Sequence, residues 1–122
     1  MQARALKKNI RMSPRKMRLV IDLIRGKKAT EALTMLHFHP KHAAYEAEMV
    51  LRSAIANLNQ KADAEGLRIH DDEITVIRAT VDNAAFFKRM LPAPQGRAYR
   101  IRKRSNHLTI VVGTPDTEEE SE

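Results

Sequence analysis

The residues best suited to chemistry in this chain are cations at strand and helix spacings, and the chemistry they suit is the binding of a polyanion. Arg100, Arg102 and Arg104 recur at period two, which projects all three from one face of any strand they occupy and leaves Tyr99, Ile101 and Lys103 on the other. Three guanidinium groups on one face repel each other unless an anion lies against them, and their planar forks match phosphate oxygens in pairs. Arg15, Arg18, Asp22 and Arg25 fall at spacings of three or four, a helix face opposite the apolar group Met17, Val20, Ile21 and Ile24. A plain solvated face is the competing reading, since Asp22 can pair locally with Arg18 or Arg25. The surplus of positive charge around that helix favours phosphate.

Other chemistries fail on residue type or spacing. His37, His39 and His42 lack a helical i, i+4 register and Pro40 interrupts them, so they suit structural or phosphate-contacting roles better than metal ligation. Asp71, Asp72 and Glu73 mark a turn and not a catalytic dyad, because no pocket-forming pattern accompanies them. The chain has no Cys, which removes disulfides, thiolate metal sites and a Cys nucleophile, and its four glycines are too dispersed for a phosphate-cradling loop. No enzyme, cofactor or metal is expected. A DNA-reading module would need polar base-contacting residues on its reading helix, and that set is missing.

Where the charge lies says more than its total of +7. Residues 1–28 carry ten Lys or Arg against Asp22 alone, and residues 88–104 carry seven with no acid. Between them, residues 29–87 hold five basic and nine acidic residues, and 105–122 hold five acids. Two intensely basic segments flanking an ordinary middle are the footprint of a polyanion partner. Aromatics are only 4% and Trp is absent, so charge and not stacking should supply the affinity. No apolar run is long enough for a membrane span or a signal peptide, which predicts a cytoplasmic protein without a membrane partner.

These cations need elements to hold them. Loose alternation from Arg4 to Met12 predicts an edge strand with Leu6, Ile10 and Met12 on one face. Ser13 as cap and Pro14 in the first turn open a helix to Arg25, which Gly26 ends. Thr30 is the expected cap of a second short helix carrying Ala32, Leu33 and Leu36, which stops before Pro40. Ala43, Ala47, Val50, Leu51, Ala54 and Leu58 then give a third helix of about five turns. Ile74, Val76, Ile77, Ala79 and Val81 form a β-branched run whose phase breaks between Val76 and Ile77, the mark of a bulge or of burial on both faces.

Strand patterning resumes at Tyr99–Arg104 and Leu108–Val112 after Pro92, Pro94 and Gly96, which predicts a long hairpin over about 80–104. Its expected tip, Phe86 to Pro92, puts large apolar groups on a loop that should be buried against a partner; Phe86 is equally suited to folding back onto the core. The acidic tail 114–122 has no large apolar residue and is expected to be disordered. The expectation is one domain over 1–113, α+β, with three helices on a small antiparallel sheet and a long protruding β-hairpin.

Two strings resemble a known family. Met12-Ser13-Pro14-Arg15-Lys16-Met17-Arg18-Leu19-Val20, continuing through Asp22-Leu23-Ile24-Arg25-Gly26-Lys27, is similar to the opening of the bacterial large-subunit ribosomal protein L twenty-two family. Gln95 through Val112 resembles its closing strand, Ser53 to Asn57 its third helix, and Val81-Asp82 with Lys88-Arg89 its hairpin. The likeness covers about residues 3 to 112; it departs at Ala84-Ala85 and Ala93-Pro94. It implies a ribosome-bound, cytoplasmic structural constituent of the large subunit that supports assembly and extends its hairpin to the wall of the peptide exit tunnel. Its implied partners are large-subunit ribosomal RNA, neighbouring large-subunit proteins, and the nascent peptide near the tip. The implied RNA-binding set is Arg11, Ser13, Arg15, Lys16, Arg18, Arg25, Lys27 and Lys28 at the front, with Arg97, Arg100, Arg102, Lys103, Arg104 and His107 on the hairpin flank. Phe87, Lys88, Arg89, Met90 and Leu91 are implied at the tunnel tip.

Overall fold

Alternating β-branched and small residues build a sheet with one dry face, and a computed structural model shows its layout for residues 1–92 and 94–114. Apart from Thr114, the tail expected to be disordered lies outside the described residues. The elements are β1 (Gln2–Ile10), α1 (Pro14–Ile21), α2 (Ala29–His37), α3 (His42–Ala64), β2 (Thr75–Asn83), β3 (Phe87–Pro92), β4 (Ala98–Lys103) and β5 (Asn106–Gly113). The α+β reading with three helices on an antiparallel sheet therefore stands. β5 is the central strand, with β1 and β2 antiparallel on either side. Ala5, Ile110 and Ala79 line up across the three strands, as do Ala3, Val112 and Val76. Of these only Ala3 is less than fully buried, and α3 lays Ala44, Ala47, Leu51, Ala54 and Leu58 against the same core. The many alanines let the helix approach the sheet closely.

Two bulges set which side chains enter. In β2 the register shifts between Val76 and Arg78, as the broken phase predicted. In β1 it shifts between Lys7 and Ile10, with Asn9 at φ 57°, so Ala5 and Ile10 both face inward although, five positions apart, they would point to opposite faces of a regular strand. Leu6 is consequently 49% exposed, and the expectation that it shares a face with Ile10 fails.

Both sheet edges are capped from within. Asn57 Nδ2 donates to the Arg4 carbonyl at 2.9 Å and Lys61 Nζ to that of Gln2 at 3.0 Å, covering β1. Along β2, the Gly26 N–H donates to the Val76 carbonyl, the Val76 N–H to that of Lys27, and the Ala29 N–H to that of Ile74, at 2.8–3.1 Å. An exposed edge is a template for aggregation, and these bonds remove it.

Helix boundaries differ in instructive ways. α1 stops at Ile21, not Arg25, because the Leu23 and Ile24 amides bond three residues back and tighten the chain towards Gly26 at φ 77°. Lys28 and not Thr30 precedes α2, and Ser13 stands at the head of α1 without a side-chain cap bond. α3 runs 23 residues, about six turns.

The hairpin is two pieces. β2 and β5 pair only as far as Asn83 and Asn106; Ala84 to Phe86 and Arg104–Ser105 form a neck, and β3 and β4 make a separate two-stranded ribbon. Six residue pairs, from Phe87 with Lys103 to Pro92 with Ala98, carry it about 17 Å at ~3.3 Å per step. The residues expected at the tip thus stand along β3, with Phe87 nearest the body. The turn is made instead by Pro94–Gly96, where Gln95 and Gly96 have φ of 65° and 71°.

Candidate nucleic-acid interface

The β3–β4 register decides what each ribbon face offers. Lys88 stands opposite Arg102 and Met90 opposite Arg100, so one face carries three cations. The reverse face holds Phe87 opposite Lys103, Arg89 opposite Ile101, and Leu91 opposite Tyr99. Like charges directly across a ladder destabilise it, and among the described residues no acid forms an ion pair with Lys88, Arg100 or Arg102. Arg100 and Arg102 share a face as their spacing required; Arg104 leaves the strand at the neck.

At the ribbon's base a cleft of about 1220 Å³ opens towards the body. Arg11, Met12, Ser13, Lys16 and Leu19 line one wall, Lys41, His42 and Ala43 another, and Phe87, Arg89 and Arg102 to Ser105 the third. Seven of these residues are Lys or Arg and none is Asp or Glu. Two helix starts border it, those of α1 and α3, and neither has an acid in its first turn or a side-chain cap bond. Their dipoles add to the positive field. Arg11 lies 5.9 Å and Arg89 5.4 Å from the Phe87 ring centre. On the other side of the neck Arg102 sits 5.1 Å over Phe86, which lines a smaller cavity of about 280 Å³ with Pro14 and Asn83. Phe86 therefore folds back onto the neck instead of the core. Fully buried Asn106 fixes the junction by donating from Nδ2 to the Met12 carbonyl at 2.9 Å.

The cleft gathers Arg11, Ser13, Lys16, Phe87, Arg89, Arg102, Lys103 and Arg104, from both basic segments. Other expected site residues stand elsewhere. Arg18 Nη2 donates to the Val81 carbonyl at 3.0 Å and Arg25 Nε to that of Ala79 at 2.8 Å, while Arg25 also pairs with Asp22. These two arginines brace the β2 edge. His107 Nδ1 accepts from the Asn9 N–H at 3.0 Å and so holds the β1 bulge. Arg15, Lys27 and Lys28 are exposed beside the α1–β2 contact, and Arg97 lies in the ribbon turn. Sequence reasoning missed Lys41 as a wall of the cleft; the signal was Pro40, which lies between α2 and α3 and leaves Lys41 at the head of the latter.

The histidines have local partners: His37 Nδ1 lies 3.4 Å from Glu48 and His39 Nδ1 accepts from the Lys41 N–H at 3.2 Å. Arg52 bonds Glu48 at 2.8 Å, and this bond above all, followed by its charge and that of His37, holds the Glu48 carboxyl below the usual carboxylate range against the opposing effect of burial. Among the described residues no group of three or more His, Cys, Asp or Glu could hold a metal ion, and no helix is long and apolar enough to cross a membrane.

Comparison with known proteins places these features in a family. The family model described as Ribosomal protein L22p/L17e matches residues 5–113. Proteins called "Large ribosomal subunit protein uL22" are similar over nearly the whole chain. That of Bacteroides fragilis is 51% identical over 112 residues, covering 92% of this chain and 80% of the relative. The Chlorobaculum tepidum protein is 51% identical with 92% of each chain covered, and that of Bifidobacterium animalis subsp. lactis 44% identical with 95% and 98% covered.

Proposed function

This chain belongs to the ribosomal protein L22p/L17e family, a structural and non-enzymatic one, and from that premise we propose that it binds large-subunit ribosomal RNA through the neck cleft and the arginine face of the ribbon. The observation that carries this reading is the cleft itself: seven cations from distant parts of the chain converge with no carboxylate among them. Such an array is self-repelling in the free protein and is relieved by phosphate. The ribbon adds Lys88 and Arg100, on the same face as Arg102, and extends away from the body. It reaches the wall of the peptide exit tunnel, and its turn, Pro94 to Arg97, meets the nascent peptide. Residues 1–113 act as one RNA-binding domain in a cytoplasmic, ribosome-bound particle beside other large-subunit proteins, and through its grip on RNA the chain supports subunit assembly.

A salt titration tests the RNA contact. Replacing Arg100, Arg102 and Arg104 together by Ala should weaken binding to structured large-subunit RNA and reduce the slope of log affinity against log salt by about two to three units, close to one per lost phosphate contact. An unchanged slope in a variant with intact circular dichroism would contradict the proposal.

A further inference from the structure

Resting on that RNA-binding reading, we propose that the neck cleft receives one unstacked nucleotide, with its base against the Phe87 ring and its phosphate among the surrounding cations. Duplex phosphates need only a convex basic surface, whereas this site is concave. Its lining combines apolar surface from Met12, Leu19, Ala43 and Phe87 with seven cations. At about 1220 Å³ it exceeds the ~300–1,000 Å³ typical of small-molecule sites, so a nucleotide and bridging water fit together.

Phe87 is the second reason. Phe87 is 47% exposed at the base of the ribbon, and two guanidinium groups attend its ring. Those of Arg11 and Arg89 lie 5.4–5.9 Å from its centre, within cation–π range yet looser than a stacked plane. A base has a flat π face of its own and stacks on such a ring whatever its identity. By displacing one guanidinium it frees that arginine for the phosphate of the same nucleotide. The absence of any carboxylate among the cleft's lining residues argues against an ordinary apolar peptide as the occupant, because such a peptide would leave seven cations unneutralised. Low aromatic content thus understates stacking here: two of the three Phe residues are at the neck.

The test uses the full chain and two single-stranded probes of equal length and charge, an oligoadenylate hexamer and its abasic counterpart, at low salt. Phe87→Leu keeps an apolar group and removes the π face. It should weaken the adenylate probe roughly tenfold, the scale of one lost base–aromatic stack. The abasic probe should be held equally by wild type and variant. Lys16→Ala with Arg104→Ala should weaken both probes, since it removes phosphate contacts only. Equal losses for the two probes on Phe87→Leu, or no loss for either, would make Phe87 a packing residue or a contact for a protein, and would overturn the nucleotide proposal while leaving phosphate binding intact. Failure of the wild type to hold either probe would overturn the RNA-binding reading as well.

Discussion

The three-stranded sheet and the two-stranded ribbon are both antiparallel ladders, joined through the neck from β2 to β3 and from β4 to β5, yet they are held together by different means. In the sheet, Leu108, Ile110 and Val112 are completely buried beneath the helices, and both edges are capped. In the ribbon every residue of β3 is exposed, and within β4 only Ile101 is partly covered. An isolated two-stranded hairpin is marginal in water, so the ribbon lacks an internal reason to be rigid. Arginine shows the contrast most directly. Arg18 and Arg25 spend donors on β2 carbonyls and stabilise the body, whereas Arg100 stands beside Met90 on an exposed ribbon face, with Lys88 opposite Arg102 on the same face, and this like charge costs stability until an anion arrives. The body is built for itself and the ribbon for a partner.

Substitution of buried residues should separate the two regions most strongly. Leu108→Ala, in the middle of the core, should lose about 2–5 kcal/mol of stability, while Met90→Ala in the ribbon should stay within about 0.5 kcal/mol. Chemical denaturation of both variants measures this, and a comparable loss for Met90→Ala would erase the distinction.

A smaller effect should sort the arginines by task. Arg18→Ala removes a charged donor from a partly buried strand edge and should cost about 1 kcal/mol, with little change in the salt dependence of RNA binding. Arg100→Ala should do the reverse: unchanged melting and a salt slope reduced by about one unit. Thermal unfolding paired with the salt titration reads both, and identical behaviour of the two variants would break the comparison.

The smallest expected effect lies wholly in the body. Because Arg52 holds Glu48 more acidic than an unfolded glutamate, the unfolded chain binds the proton more readily. The contribution is therefore complete above the ordinary glutamate range and is lost as pH falls through that range to the depressed folded value. Arg52→Ala should flatten this acid limb of a stability–pH curve and leave neutral-to-basic behaviour alone. A variant with the same acid limb as wild type would show that the pair contributes nothing.

What the sequence disclosed follows the same division. Helix faces, the bulge after Val76 and the basic segments were legible because each is a local pattern of residue type and spacing. The side on which Leu6 falls was not, since a single residue, Asn9 in a left-handed conformation, reverses strand parity. The hairpin's division was hidden too: nothing in Ala84-Ala85-Phe86 forbids extended pairing, and the neck arises from tertiary contacts around Asn106 and Ser105. That Arg18 and Arg25 also reach the β2 carbonyls was hidden, because a cation on an exposed helix face looks the same whether or not a strand edge lies within its reach. Convergence of Arg11, Lys41 and Arg104 on one cleft is a property of the fold alone.

Amide hydrogen exchange on the free chain tests the central claim, that the body is self-sufficient and the ribbon awaits its partner. Amides of Ile110 and Val112 on β5 should be protected to the level of global unfolding, while those of β3 and β4 exchange at nearly unprotected rates and slow only when structured ribosomal RNA is added. Ribbon amides as protected as those of β5 in the RNA-free protein would contradict the account.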